Sequence, residues 1–201
     1  MKKLLLLLIL VFQALLIFAD ANGTCGENLT WTYTEATKTL VIEGTGDMDN
    51  YNPPSLKSPW AEYDIAIIRI GSGVSSIGMY AFHRLTQVVS VDISNSVTSI
   101  GSYAFEYCSS LTTIVIPNSV TSIDKNAFLS CTGLTSISIP NSVTYIGKQV
   151  FNGCTGLIEV KLSNSLSYIS EGAFAYCSSL VSITISDNVT SIGQHAFYGC
   201  I

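Results

Sequence analysis

The sequence predicts a repeat solenoid preceded by a β-hairpin cap, and three observations carry that prediction. Phe82, Phe105, Phe128, Phe151, Phe174 and Phe197 recur with a constant 23-residue period. Further apolar columns run in phase with them: Ile77, Ile100, Ile123, Ile146, Ile169 and Ile192, and ahead of these Val74, Val97, Val120, Val143, Leu166 and Val189. No single copy can bury its own apolar face, whereas stacked copies bury one continuous core.

The elements follow in chain order. Lys2 and Lys3 precede an apolar run from Leu4 to Phe18, broken only by Gln13, and Ala19-Asp20-Ala21 places small residues at −3 and −1 of a cleavage site. This pattern predicts a secretory signal peptide over residues 1–21, cleaved after Ala21. The other reading, an uncleaved anchor helix, is short against a span of about 20 residues. No later stretch approaches spanning length. Residues 22–64 form an N-terminal capping region. Within it Leu29-Thr-Trp31-Thr-Tyr33 and Thr39-Leu40-Val41-Ile42 alternate as strands around a turn at Glu35–Lys38. Trp31, Tyr33 and Trp60 supply the apolar area to cover the first coil. Asn22, Asn28 and Asn188 each begin an Asn-x-Thr glycosylation acceptor pattern.

Residues 65–201 then hold six coils. Leu111-Thr-Thr-Ile114-Val-Ile116 opens a coil with the alternation of a short strand. Pro117-Asn118-Ser119 breaks it, because proline lacks the ladder donor and asparagine favours turns. Val120–Ile123 makes a second extended segment. Gly101, Gly147 and Gly193 end that segment where φ is positive or backbones crowd. Ala104-Phe105-x-x-Cys108 fits a single helical turn facing inward. The stretch from Ile65 to Ile201 falls a single residue short of six full coils, so the sequence stops as its sixth coil closes. Without a polar terminal cap, either a truncated chain or an open end that pairs with something is expected.

Composition narrows the function classes. Of 201 residues 48% are hydrophobic but only 11% charged, where about 25% is usual. The 27 Ser and 18 Thr therefore do most of the solvating. Nine basic against 14 acidic residues give a net charge of −5, which argues against a nucleic-acid footprint or a basic membrane patch. High apolar content with low net charge also argues against disorder.

Cys108, Cys131, Cys154, Cys177 and Cys200 form a further column, and Cys25 stands outside it. Coils about 4.8 Å apart fall within disulfide reach, but equivalent side chains point the same way and oppose the required dihedral. A buried, reduced ladder is expected, with one or more disulfides as the alternative. Zinc is not, since there is no CxxC and only His83 and His195 offer imidazole. The acid- and glycine-rich stretch from Glu43 to Asn52 fails as a dinucleotide fingerprint, because Asp49 replaces the third Gly. As a calcium loop it lacks the Gly at position six and the Glu at twelve. A solvated turn is expected there. His83 and His195 fall in variable, exposed positions, and no G-x-S-x-G occurs. No catalytic residue, metal or cofactor is therefore expected.

Solenoids bind through extended sheet surfaces, and strand alternation names the outward positions here. They are Ile67 and Arg69, Ser90 and Asp92, Thr113 and Val115, Ser136 and Ser138, Glu159 and Lys161, and Ser182 and Thr184. Most are small hydroxyls; the first, second and fifth coils carry the distinctive groups.

The unit I-P-N-S-V-T-x-I-G-x-x-A-F-x-x-C-x-x-L resembles the BspA-type leucine-rich repeat. It runs from Ile116 to Leu134, with Asp124 in place of the Gly, and again from Ile139 to Leu157. Residues 25–64, with Cys25-Gly-x-Asn28-Leu-Thr-Trp31 and Ser58-Pro-Trp60, are similar to the segment that precedes such arrays. The resemblance implies a right-handed solenoid with a parallel sheet on its concave side. It also implies a secreted or cell-surface, non-enzymatic protein of adhesin or surface-antigen type, whose concave face engages a protein or glycan such as host matrix. A structural spacer or surface-coat antigen without a specific ligand is the other expectation.

Overall fold

Backbone pairing starts with an antiparallel meander of three strands. The computed structural model describes residues 21–200, so the leader expected over residues 1–21 lies outside the described residues except for Ala21. Strand β1 (Ala21–Gly26) pairs with β2 (Asn28–Thr34), and β2 pairs with β3 (Thr39–Asp47) from Asn28↔Thr45 to Thr34↔Thr39. The expected hairpin is present. Its turn is a 3-10 helix at Glu35–Thr37, closed by Lys38 in the left-handed region at φ 50°. Strand β1 adds a third strand that no alternation in Ala21–Gly26 announces.

Strand β3 is also the first strand of the stack. Its first half pairs in parallel with β4 (Ile67–Ile70), from Thr39↔Ile67 to Ile42↔Ile70. Its far end crosses to a second side, where Gly46 and Asp47 pair with β5 (Val74–Ile77). The crossing needs backbone that only glycine adopts easily. Gly44 has φ +112°, and a Cβ there would lie 2.0 Å from the Asn28 carbonyl oxygen. The stretch Glu43–Asp47, expected as a solvated turn, is therefore exposed but extended. One strand has to reach both sheets, and that demand overrides its turn-forming composition.

Each coil contributes to two strand sides. On the first, β4 pairs with β6 (Ser90–Ile93); further along, β9 (Ser136–Ser138), β11 (Glu159–Lys161) and β13 (Ser182–Thr184) form one parallel sheet. On the second, β5, β7 (Ser99–Ile100), β8 (Ser122–Ile123) and β10 (Tyr145–Ile146) run in sequence, and β12 (Tyr168–Ile169) pairs with β14 (Ser191–Ile192). Between coils the strand partners keep the offset of the repeat, as in Ile100↔Ile123 and Ile146↔Ile123. The third coil departs from expectation. Leu111, Ile114 and Ile116 are buried while Thr113 and Val115 are exposed, yet residues 111–116 belong to no strand. Burial dictates which side chains turn inward and leaves ladder bonding optional.

The third side carries the phenylalanines. Expected as single helical turns, these segments are instead chained β-turns that alternate two kinds of hydrogen bond. In the second coil Ala104 N–H donates to the Gly101 carbonyl, Phe105 N–H to Ala127 of the next coil, Glu106 N–H back to Tyr103, and Tyr107 N–H to Leu129 of the next coil. A helix would spend every N–H along its own axis and leave none for the neighbour. Two left-handed residues per coil turn alternate N–H groups outward, at Tyr80 and Arg84, Tyr103 and Tyr107, Asn126 and Ser130, Gln149 and Gly153, Gly172 and Tyr176, and His195 and Gly199.

Inside, Trp60 and the six repeat phenylalanines form one file of rings. Neighbouring centroids lie 5.7 Å apart at Trp60–Phe82, 5.2 Å at Phe82–Phe105 and 5.3 Å at Phe105–Phe128. The cap is locked to this file because buried Trp60 donates its indole N–H to the Ala81 carbonyl at 2.8 Å. Hydroxyls expected merely to face water also clamp coils together: Thr98, Thr121 and Thr190 donate to the Ser75, Thr98 and Ser167 carbonyls at 3.0, 3.2 and 3.1 Å. Gly101, Gly147 and Gly193 answer to crowding. None has positive φ, and a Cβ on Gly147 would meet Lys125 N at 2.1 Å.

Phe128 lies in the middle of the file and is fully buried, whereas Phe197 is only partly so. Phe128→Ala should cost about 3–5 kcal/mol of unfolding free energy, and Phe197→Ala clearly less. Urea denaturation of the two variants side by side measures the difference.

Candidate binding site on the strand face

The parallel register turns alternate residues into rows. Arg69 stands beside Asp92 and, on its other flank, Val41 of β3. Ile67 faces Ser90 and is half-buried, while Arg69, Ser90 and Asp92 are exposed. Further along, Ser136, Glu159 and Ser182 form one row, and Ser138, Lys161 and Thr184 a second, all exposed. Glu159 and Lys161 thus present opposite charges on one face of the same strand, each framed by hydroxyls. Thr113 and Val115 are exposed in the third coil, whose residues 111–116 form no strand, and Val115 leaves 77% of its surface in solvent.

A groove of about 520 Å³ runs over the third to fifth coils. Its floor includes Thr113, Val115, Ser136 and Ser138, and Lys161 reaches its edge. The far wall is a column that strand alternation does not select: Asn118, Asn141 and Asn164. Its signal in the sequence is an Asn following the strand in the second to fifth coils, Asn95, Asn118, Asn141 and Asn164, which turn propensity explains fully. Part of the column is structural, since the Asn164 N–H donates to the Asn141 Oδ1 at 2.9 Å. The groove therefore offers amides, hydroxyls, one ammonium and a patch of apolar surface. This is a recognition chemistry with no nucleophile–base pair.

The other sequence candidates resolve as structure. All six cysteines are free thiols. Cys108, Cys131, Cys154, Cys177 and Cys200 each donate to a phenylalanine carbonyl of an earlier coil, at 3.1–3.2 Å. Burial pushes the Cys108 thiol up to about 12; burial, aided by neighbouring Cys200, does the same for Cys177. Burial also holds Cys131 and Cys154 well above the ordinary thiol range. Among the described residues no three His, Cys, Asp or Glu side chains converge as a metal site. Asp47 accepts hydrogen bonds from the Ser75 and Ser76 hydroxyls at 2.6 and 2.7 Å, which lower its pKa and tie β3 to the first coil. His195 is exposed as expected, but His83 is not. Its side chain is 17% exposed, with Nδ1 2.8 Å from the Glu106 Oε2. Among the described residues no helix is long and apolar enough to cross a membrane.

Comparison with known proteins agrees with this architecture. A family model described as the BspA-type leucine-rich repeat region matches residues 62–201 in six copies. The T. pallidum leucine-rich repeat protein is similar at 26% identity and a TM-score of 0.68, with 88% of each chain covered. A leucine-rich cell surface protein from Faecalibacterium prausnitzii A2-165 is 27% identical with a TM-score of 0.70, over 91% of this chain and 53% of that one. A leucine-rich repeat protein from Bacteroides ovatus ATCC 8483 is 26% identical with a TM-score of 0.65, over 86% and 50%. The chain spans about half the length of these last two. No curated protein matches it.

The thiol ladder sets an alkaline limit on stability. Below pH 9.0 a thiol such as Cys108 is protonated folded or unfolded, so its contribution is fully present. Between 9.0 and about 12 the unfolded chain ionises while the folded chain does not, and stability falls. Urea midpoints measured from pH 8 to 11 should drop over that window, and less steeply in the Cys108→Ala, Cys177→Ala double variant.

Proposed function

The chain belongs to the BspA-type leucine-rich-repeat family, and from that premise we propose that it is a secreted or cell-surface, non-enzymatic binding protein. Its concave strand face engages a protein or glycan partner, as an adhesin or surface antigen does. The observation that supports this reading is where the repeat stops repeating. Core positions are rewritten in every coil, yet the exposed rows carry Arg69 beside Asp92, and Glu159 with Lys161, where other coils carry Ser or Thr and, at two places, Ile67 and Val115. Stability does not require charges at such positions, and one of them, Lys161, lines a groove of suitable size for a side chain or sugar. The F. prausnitzii relative is described as a cell surface protein, which favours the same location. Rows of small hydroxyls and amides on a rigid sheet suit recognition of a polar macromolecule through many modest contacts.

The test is a binding screen of the chain against immobilised matrix proteins and a glycan array. It is repeated with Arg69, Asp92, Glu159 and Lys161 all changed to Ala. This variant removes two charges of each sign, so net charge and long-range steering stay the same. Binding to the selected partner should weaken about tenfold or more, while each surface change shifts stability by only about 0.5 kcal/mol or less. Unchanged binding in the variant overturns the assignment of this face. Selective retention of nothing on either panel favours the spacer.

A further inference from the structure

The turn side of the first two coils carries side chains that the repeat itself does not need. Directly after the core phenylalanine, the third to fifth coils have Leu129-Ser130, Asn152-Gly153 and Ala175-Tyr176, whereas the first two have His83-Arg84 and Glu106-Tyr107. Two residues before it, Asn126, Gln149 and Gly172 suffice in the third to fifth coils and His195 stands in the sixth, but Tyr80 and Tyr103 stand first. All of these columns adopt the same backbone, including the left-handed residues. Folding therefore does not explain the aromatic and charged groups.

These groups form a rigid cluster. Tyr80 and Tyr103 stack with centroids 4.5 Å apart and planes 3° from parallel. The His83 ring stands edge-on to Tyr80 at 5.3 Å, and its Nδ1 is held against the buried Glu106. The Arg84 guanidinium lies over the Tyr107 ring at 5.2 Å. Tyr80, His83 and Arg84 line a pocket of about 520 Å³ together with Pro53, Pro54, Lys57 and Glu62 of the cap. That volume falls within the range of small-ligand sites.

Charge accounting leaves one group over. Within the lining, Lys57 is paired with Glu62 at 2.7 Å, which leaves Arg84; Glu106 lies outside it, its Oε2 2.8 Å from the His83 Nδ1. Arg84 has no ion pair or hydrogen bond through its side chain among the described residues. A guanidinium over a ring still has N–H donors to offer a carboxylate. The pocket thus combines an uncompensated cation with an aromatic surface, in a chain of net charge −5.

We infer that this pocket binds a carboxylated sugar, of the uronic or sialic acid kind. Arg84 takes the carboxylate through paired N–H donors, and Tyr80, held in place by its stack on Tyr103, borders the sugar ring. A peptide adding as a strand finds no free backbone edge here. The N–H groups of Tyr80, Phe82 and Arg84 already donate to Ser102, Ala104 and Glu106 of the next coil. The inference is independent of the strand-face reading, since none of the residues proposed for that face lines this pocket.

Calorimetric titration of the chain with D-glucuronate, N-acetylneuraminate, D-glucose and a tetraglutamate peptide tests it. At least one sugar acid should bind saturably, with glucose and tetraglutamate about tenfold weaker or more. Arg84→Ser and Tyr80→Asn reproduce the residues that the third coil carries at these positions, Ser130 and Asn126. Each should fold; Arg84→Ser should weaken the sugar acid about tenfold, the loss expected for one charge-assisted contact, and Tyr80→Asn should weaken it less. Lys161→Gln, on the strand face, should change nothing. Absence of saturable binding by both acids, equal binding of glucose, tighter binding of tetraglutamate, or an Arg84→Ser chain that folds and binds unchanged would each overturn the proposal.

Discussion

Everything in this molecule depends on how one coil satisfies the next. A single 23-residue turn of chain is too short to bury its apolar face and too irregular to pair its own backbone. The turn side solves both problems together. Alternate N–H groups close β-turns within a coil and the remainder reach across, as Phe105 does to Ala127. The phenylalanine beneath each turn stacks on the ring of the coil before it. Cross-coil hydrogen bonds and ring stacking share one register, so an insertion of a single residue would break both. That coupling keeps the period constant.

The left-handed residues are what this arrangement costs. A side chain in that region is disfavoured by about 1–2 kcal/mol, yet the described coils hold two such residues each, and several are tyrosines. They persist because the cross-coil bond would otherwise leave a buried amide unpaired, which costs more. Their recurrence also changes how strain should be read here. At Tyr80 and Arg84 the unusual backbone belongs to the fold, and only the chemistry of the side chains distinguishes the place.

Fixing the inward columns frees the outward slots, and the chain uses that freedom unevenly. Many outward hydroxyls fasten coils, as Thr98 and Thr121 do. The cysteines have likewise become small apolar fillers whose S–H groups satisfy carbonyls. The two surfaces proposed for recognition differ in chemistry. The strand face is broad, shallow and hydroxyl-rich, with balanced charges. The pocket at the cap junction is compact and aromatic, with one uncompensated cation.

The period, the inward columns, the hairpin of the cap and the outward strand positions are all legible in the chain before it folds. Each follows from a short-range rule: alternation, turn chemistry, or recurrence at a fixed interval. Ile137 is buried and Ser136 exposed because side chains alternate, whatever the neighbouring coil does. Pairing between distant segments is a different matter. That β3 serves both sheets, that the phenylalanine turns are not helical, and that residues 111–116 stay out of the ladder all depend on where a neighbouring coil places its carbonyls. His83 illustrates the same divide. Its position in a variable column suggests exposure, but the solenoid stacks Glu106 one coil away and tyrosines on either side. Likewise Pro53 and Lys57 are brought to Arg84 only by the docking of Trp60. Periodicity specifies which way a side chain points; only the assembled stack decides what it meets there, because those partners lie a coil or more away in sequence.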